Sequence, residues 1–166
     1  MRSMWGWAAA SALAASALAG SAGSAWADWQ YTQWGMTPDQ VTAASSDAAQ
    51  PNSDRALDAG ALKAVLTAPY QGASLPFTAV FLFDAGGRLK VVALNPVGGI
   101  ACPVIVQALG ANHGPPEGKP DMAHAASLHW DDVDNDNLVV YGDLGQGHCT
   151  IQYSRLPPTR PDGKGL

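Results

Sequence analysis

Basic side chains are scarce in this chain: nine Lys and Arg stand against 14 Asp and Glu, for a formal net charge of −5 over 166 residues, and none of the basic ones cluster. A surface of that sign repels phosphodiester backbones and anionic lipid, so neither nucleic acid nor a membrane surface is an expected partner. Catalytic signatures are missing too. There is no G-x-S-x-G nucleophile elbow, no phosphate-binding glycine loop and no helix bearing paired carboxylates. The glycines of "GDLGQG" are in the wrong order for a dinucleotide loop. An enzyme would have to assemble its site from scattered residues, and an exported hydrolase of that kind is one alternative reading of the function. Cysteine is the scarcest of the reactive residues, with only Cys102 and Cys149, and no C-x-x-C or H-x-x-x-H spacing suggests a transition-metal site.

Among the features that are present, the N-terminus is the most telling. Arg2 is a short basic region, Trp5 to Leu18 an apolar core, and Ala25-Trp26-Ala27 a small-residue cleavage site. That core falls short of the ~20 residues a membrane-spanning helix needs, so residues 1–27 read as a signal peptide cleaved between Ala27 and Asp28. The expected location is the periplasm or the exterior. No cysteine follows the apolar core, so no lipid or membrane anchor is expected. Removing the leader with its single charge, Arg2, leaves an acidic mature chain: one domain over 28–156, then a disordered tail, 157–166, in which "PPTRPDGKGL" lacks apolar periodicity. In an oxidising compartment Cys102 and Cys149 can form a disulfide, and the other reading is two buried thiols.

"WGMTPDQVTAAS" contains a complete helix start. Thr37 is the N-cap, Pro38 the first helical residue, Gln40 the partner in a capping box, and Met36 with Val41 a hydrophobic staple. A helix from Pro38 to about Ala49 is expected, followed by a loop to Gly60. Strand-like runs follow at Leu62 to Thr67, Phe77 to Phe83 and Arg88 to Leu94, with a long hairpin loop from Pro69 to Pro76 and a turn at Asp84 to Gly87. Pro103 to Gly110 reads as a second, short helix, and strands return at Ser127 to Trp130, Leu138 to Tyr141 and His148 to Ser154. The fold class is therefore α+β: two α-β-β-β units, about 34–97 and 98–156, forming one antiparallel sheet with the helices packed on one face.

The stretch "DVDNDNLVVYGD" (132–143) has calcium-loop spacing, with Asp132, Asp134, Asp136 and Asp143 at positions one, three, five and twelve. Asn137 replaces the loop glycine, Asp143 is shorter than the usual bidentate Glu, and strand-like flanks replace the two helices. These departures favour β-turns at 131–137 and 143–147, with calcium through the four aspartates as the alternative. His129 and His148 fall on strands expected to be neighbours, with Asp131 nearby. They read as surface histidines before they read as zinc ligands. His113 is expected to lie in a loop.

Gly35, Met36, Thr37, Gln40 and Val41 match a helix start of the form G-M-[ST]-x-x-[EQ]-V after an export signal. In this the chain resembles small bacterial envelope proteins of the SmpA/OmlA type, which share a beta-lactamase-inhibitor-like fold. "CPVIVQALGANHGPP" resembles a second, degenerate copy of the same start. The resemblance implies a non-catalytic module of the cell envelope that binds another envelope protein or a peptide, and no cofactor is expected.

Overall fold

The computed structural model describes residues 28–117 and 127–158. The expected signal peptide and its cleavage site, the segment 118–126, and residues 159–166 of the expected tail lie outside the described residues. Helix α1 (Pro38–Ala44) starts as its sequence dictates: the Thr37 side chain accepts from the Gln40 backbone N–H, and the Gln40 side chain accepts from the Thr37 N–H. It ends earlier than the alanine-rich sequence suggests. Ser45 Oγ donates to Thr42 O and accepts from Ala49 N, and Ser46 and Asp47 take left-handed backbone angles, so a local serine-mediated turn competes with helical continuation.

Seven strands follow: β1 (Gln50–Pro51), β2 (Lys63–Gly72), β3 (Leu75–Phe83), β4 (Leu89–Pro96), β5 (Ser127–Asp132), β6 (Asn137–Gly145) and β7 (His148–Arg155). Helix α2 (Cys102–His113) lies in sequence between β4 and β5 and takes in His113, which was expected in a loop. All strand pairs are antiparallel, in the order β1-β2-β3-β4-β7-β6-β5. Two meanders, β2-β3-β4 and β5-β6-β7, thus join through their last strands, β4 and β7. The long loop expected at 69–76 is instead a tight hairpin: β2 runs through Pro69 to Gly72, and only Ala73 and Ser74 make the turn. Proline is tolerated there because β2 borders only the two-residue β1, leaving that part of its edge without a ladder partner.

Register separates the two faces. On the inner face Leu66, Phe81, Val92, Tyr153, Val139 and Trp130 form one continuous row across six strands, and Ala68, Ala79, Leu94, Ile151, Tyr141 and Leu128 form the next. Bulges in β2 and β4 keep these rows aligned where strict alternation would otherwise drift. Val41 of α1 and Cys102, Ile105 and Leu109 of α2 belong to the same buried cluster as this face. Trp29 joins them, packing against Tyr70, Phe81 and Tyr153 with ring centroids 5.2–6.1 Å apart. The Cys102–Cys149 disulfide links the first residue of α2 to β7, across 6.0 Å between Cα atoms. No helix among the described residues is long and apolar enough to cross a membrane.

Candidate functional site

The four aspartates of the calcium-like stretch do not converge. β5 and β6 are joined by a 3-10 turn, Val133–Asn135, and the segment from Asn137 onward is strand. Asp143 lies seven residues beyond Asp136, about 23 Å along an extended chain. Each carboxylate is in a different setting. Asp132 accepts from Asn135 Nδ2 at 2.9 Å, Asp134 is exposed in the turn, Asp136 pairs with Arg155 Nε at 2.9 Å, and Asp143 Oδ1 accepts from Gly145 N at 2.8 Å. The turn expected at 143–147 is narrower than the sequence suggests, because β6 continues through a bulge to Gly145 and leaves Gln146 and Gly147 to reverse the chain. Among the described residues no group of three or more His, Cys, Asp or Glu could hold a metal ion.

The histidines are likewise apart. β6 runs between the strands that carry them: His129 sits opposite Val140, and His148 opposite Gly145. That offset is about 16 Å along β6, in addition to the two strand spacings. His113, in the last turn of α2, packs its ring against Trp130 at 6.4 Å, and Trp130 Nε1 donates to Gly114 O at 2.9 Å. Gly114 ends the helix at a φ of 81°, a conformation any side chain would resist.

Asn137, read from sequence as a deviant calcium-loop position, has a structural role. Its side chain is 3% exposed, accepts from Trp34 Nε1 at 3.2 Å and donates to the Asp28 carbonyl, which anchors the Trp-rich lead onto β6. Asp28 Oδ2 in turn accepts from Trp34 N at 2.5 Å.

The outer face of the sheet is the broadest candidate surface. Its central row crosses all seven strands as Gln50, Thr67, Val80, Ala93, Gln152, Val140 and His129. On one side lie Pro69, Thr78, Asn95, Thr150, Gly142 and Ser127, with Thr150 Oγ1 within 3.2 Å of Asn95 Oδ1. On the other side lie Ala64, Leu82, Val91, Ser154, Leu138 and Asp131, where Leu57 and Leu62 pack over the β2-β3-β4 end. Asp131 is the one acidic residue in these three rows, and they contain no Lys or Arg. Ala64, Val80, Leu82 and Ala93 in these rows are buried as a second small apolar cluster. Among the row residues that do reach water Asp131 is the sole charged one, where protein surface ordinarily carries about 25–35% charged residues, so the accessible part of this face is depleted of charge. Sequence alternation identifies which residues oppose the core on a single strand. It cannot show that the neutral residues of six strands line up, because that depends on register. No protein-family model, curated protein or solved structure matches the chain.

Proposed function

We propose that this protein is a non-catalytic binding module of the bacterial cell envelope, exported to the periplasm, which docks another envelope protein or a peptide on the outer face of its sheet. The observation that carries this reading is the scarcity of charge among the outer-row residues that reach water, where Asp131 stands alone. Depletion of charge at the centre of a surface patch distinguishes interface cores from the remaining surface, since each charge there would lose hydration on docking. The partner suited to it is itself charge-poor at the contact, with side chains able to pack on the half-buried Val140 and Thr78 and to hydrogen-bond Gln152 and Thr150. Docking by strand addition at the β2 edge is a poorer fit, because Pro69 has no N–H to offer an added strand.

The export signal and the Cys102–Cys149 disulfide support the location. We read the fold as two α-β-β-β units, α1 with β2-β3-β4 and α2 with β5-β6-β7, meeting at β4 and β7, with both helices on the inner face. Shared membership of one buried cluster by Val41, Ile105 and Leu109 supports that arrangement. Kinship with the SmpA/OmlA type rests on Gly35 to Val41 and agrees with a protein-binding role.

Immobilised mature protein should capture a specific partner from periplasmic extract. Gln152→Glu combined with Val140→Lys, both at water-facing positions, should abolish capture without lowering the melting midpoint. Failure to capture a partner, or capture indifferent to the double substitution, would sink the proposal.

A further inference from the structure

On the opposite side of the sheet from the outer face, a slot of about 80 Å³ opens between α2 and the β2–β3 hairpin. Phe77, Ile105, Leu109 and Ile151 supply apolar walls, and none of the lining residues is charged. Three of its lining residues carry polar side-chain groups: Tyr70 and Tyr153 with their phenols and, at the exposed rim, Asn112 with its amide. The Tyr70 hydroxyl accepts from Gln30 Nε2 at 3.2 Å. Among the described residues, nothing hydrogen-bonds the Tyr153 hydroxyl or the Asn112 side chain, so both remain available to a guest.

The gap has local causes. α2 presents Ile105, Ala108, Leu109 and Asn112 at the i, i+3, i+4, i+7 spacing of one helix face, and the small side chain of Ala108 leaves the space unfilled. At the lip, Gly72 lets the Tyr70 ring fold back over the strand, since a Cβ on Gly72 would stand 2.9 Å from Tyr70 Cε1. The turn beside it, Ala73 and Ser74, has φ angles of 49° and 63°. Two-residue hairpins that need such angles normally use Asn or Gly, so this lip is held in a conformation its residues resist, a kind of strain that concentrates at ligand-binding positions.

We propose that this slot binds a small neutral molecule with a short aliphatic body and one hydroxyl or carbonyl group, the body against Ile105, Leu109 and Ile151 and the polar group at Tyr153 and Asn112. Size and chemistry set the class. A cavity of roughly 150 Å³ lined by aliphatic residues holds one benzene, so about half that volume takes a portion of about three heavy atoms, with the rest of the guest projecting through the mouth of the slot. An ionised group would lose its hydration in a slot none of whose lining residues is charged, and Asp132, which lies outside the lining yet acts on Tyr153, repels acids further, so acids and amines are disfavoured. Burial, then the neighbouring Tyr70 and Asp132, hold the Tyr153 hydroxyl well above its ordinary pKa, which keeps it a neutral donor.

The test uses the mature protein labelled with ¹⁵N, titrated with 1-butanol and 2-butanone, and with butyrate and butylamine as charged counterparts. Both neutral probes should give saturable amide shifts at Gly72, Ala73, Ala108 and Asn112, with Kd on the order of 1–10 mM for so few atoms. The charged probes should not. Ala108→Leu, which fills the slot, should weaken binding at least tenfold, and Tyr153→Phe should weaken it several-fold. The Tyr153 variant decides the matter should the Ala108 variant fail to fold. Shifts that never saturate, that are equal for the charged probes, or that survive both substitutions would overturn the proposal. The docking face lies on the other side of the sheet, so either reading can fail alone.

Discussion

Breaking the Cys102–Cys149 bond is the perturbation whose size can be worked out most directly. The two cysteines are 47 residues apart, and cross-linking them removes loop-closure entropy from the unfolded chain. In the chain-entropy relation a loop of that length corresponds to about 14 cal/mol/K, or about 4 kcal/mol at 25 °C. Unfolding entropy of ~2.1 cal/mol/K per residue over roughly 120 ordered residues converts this to a fall of about 15 °C in melting midpoint. Both sulfurs are buried, at 5% and 6% residue exposure, so the form of the perturbation matters. Reduction leaves the thiols in place and isolates the cross-link. Replacing both cysteines by alanine also removes packing atoms and should cost about 1 kcal/mol more. Melts followed by circular dichroism, with and without reductant and on the double-alanine variant, make the comparison. A reduced protein that melts within about 3 °C of the oxidised one would refute the reasoning, since it would mean that the unfolded chain already holds the two ends together.

Two further outcomes are expected. Asn137→Ala should destabilise the fold by about 2 kcal/mol, because it strands the Trp34 indole N–H and the Asp28 carbonyl, and a urea midpoint unchanged from wild type would count against the anchoring role. Burial raises the hydroxyl pKa of all four tyrosines, Tyr31, Tyr70, Tyr141 and Tyr153, with Asp143 adding to the effect at Tyr141 and both Tyr70 and Asp132 adding at Tyr153. Their contribution to stability is therefore fully present below the ordinary value near 10 and is lost as pH climbs through the raised folded values. Phenolate absorbance should stay low in the native protein at about pH 10.5 and appear together with alkaline unfolding. Independent titration of the four in folded protein, ahead of any loss of structure, would contradict that.

Local chemistry was legible in the sequence because it acts between near neighbours. The Thr37 cap, its reciprocal bond with Gln40, the turn after Asp84 and the alternation of Cys149, Ile151 and Tyr153 each depend on residues a few positions apart, and each appears in the structure where the sequence places it. The disulfide could also be anticipated, because only two cysteines exist to pair. What tertiary structure decided was everything that depends on register and on strands meeting across long separations. Nothing near Pro69 reveals that β2 passes straight through it, since that depends on the strand having only β1 on its far side. The aspartates from 132 to 143 keep calcium spacing on paper, but spacing brings ligands together only in a loop, and pairing with β5 and β7 extends the segment instead. The neutral outer face and the slot beside Ala108 were invisible for the same reason: each is assembled from residues of several strands or of a helix and a hairpin, and no short-range pattern records which of them will share a surface.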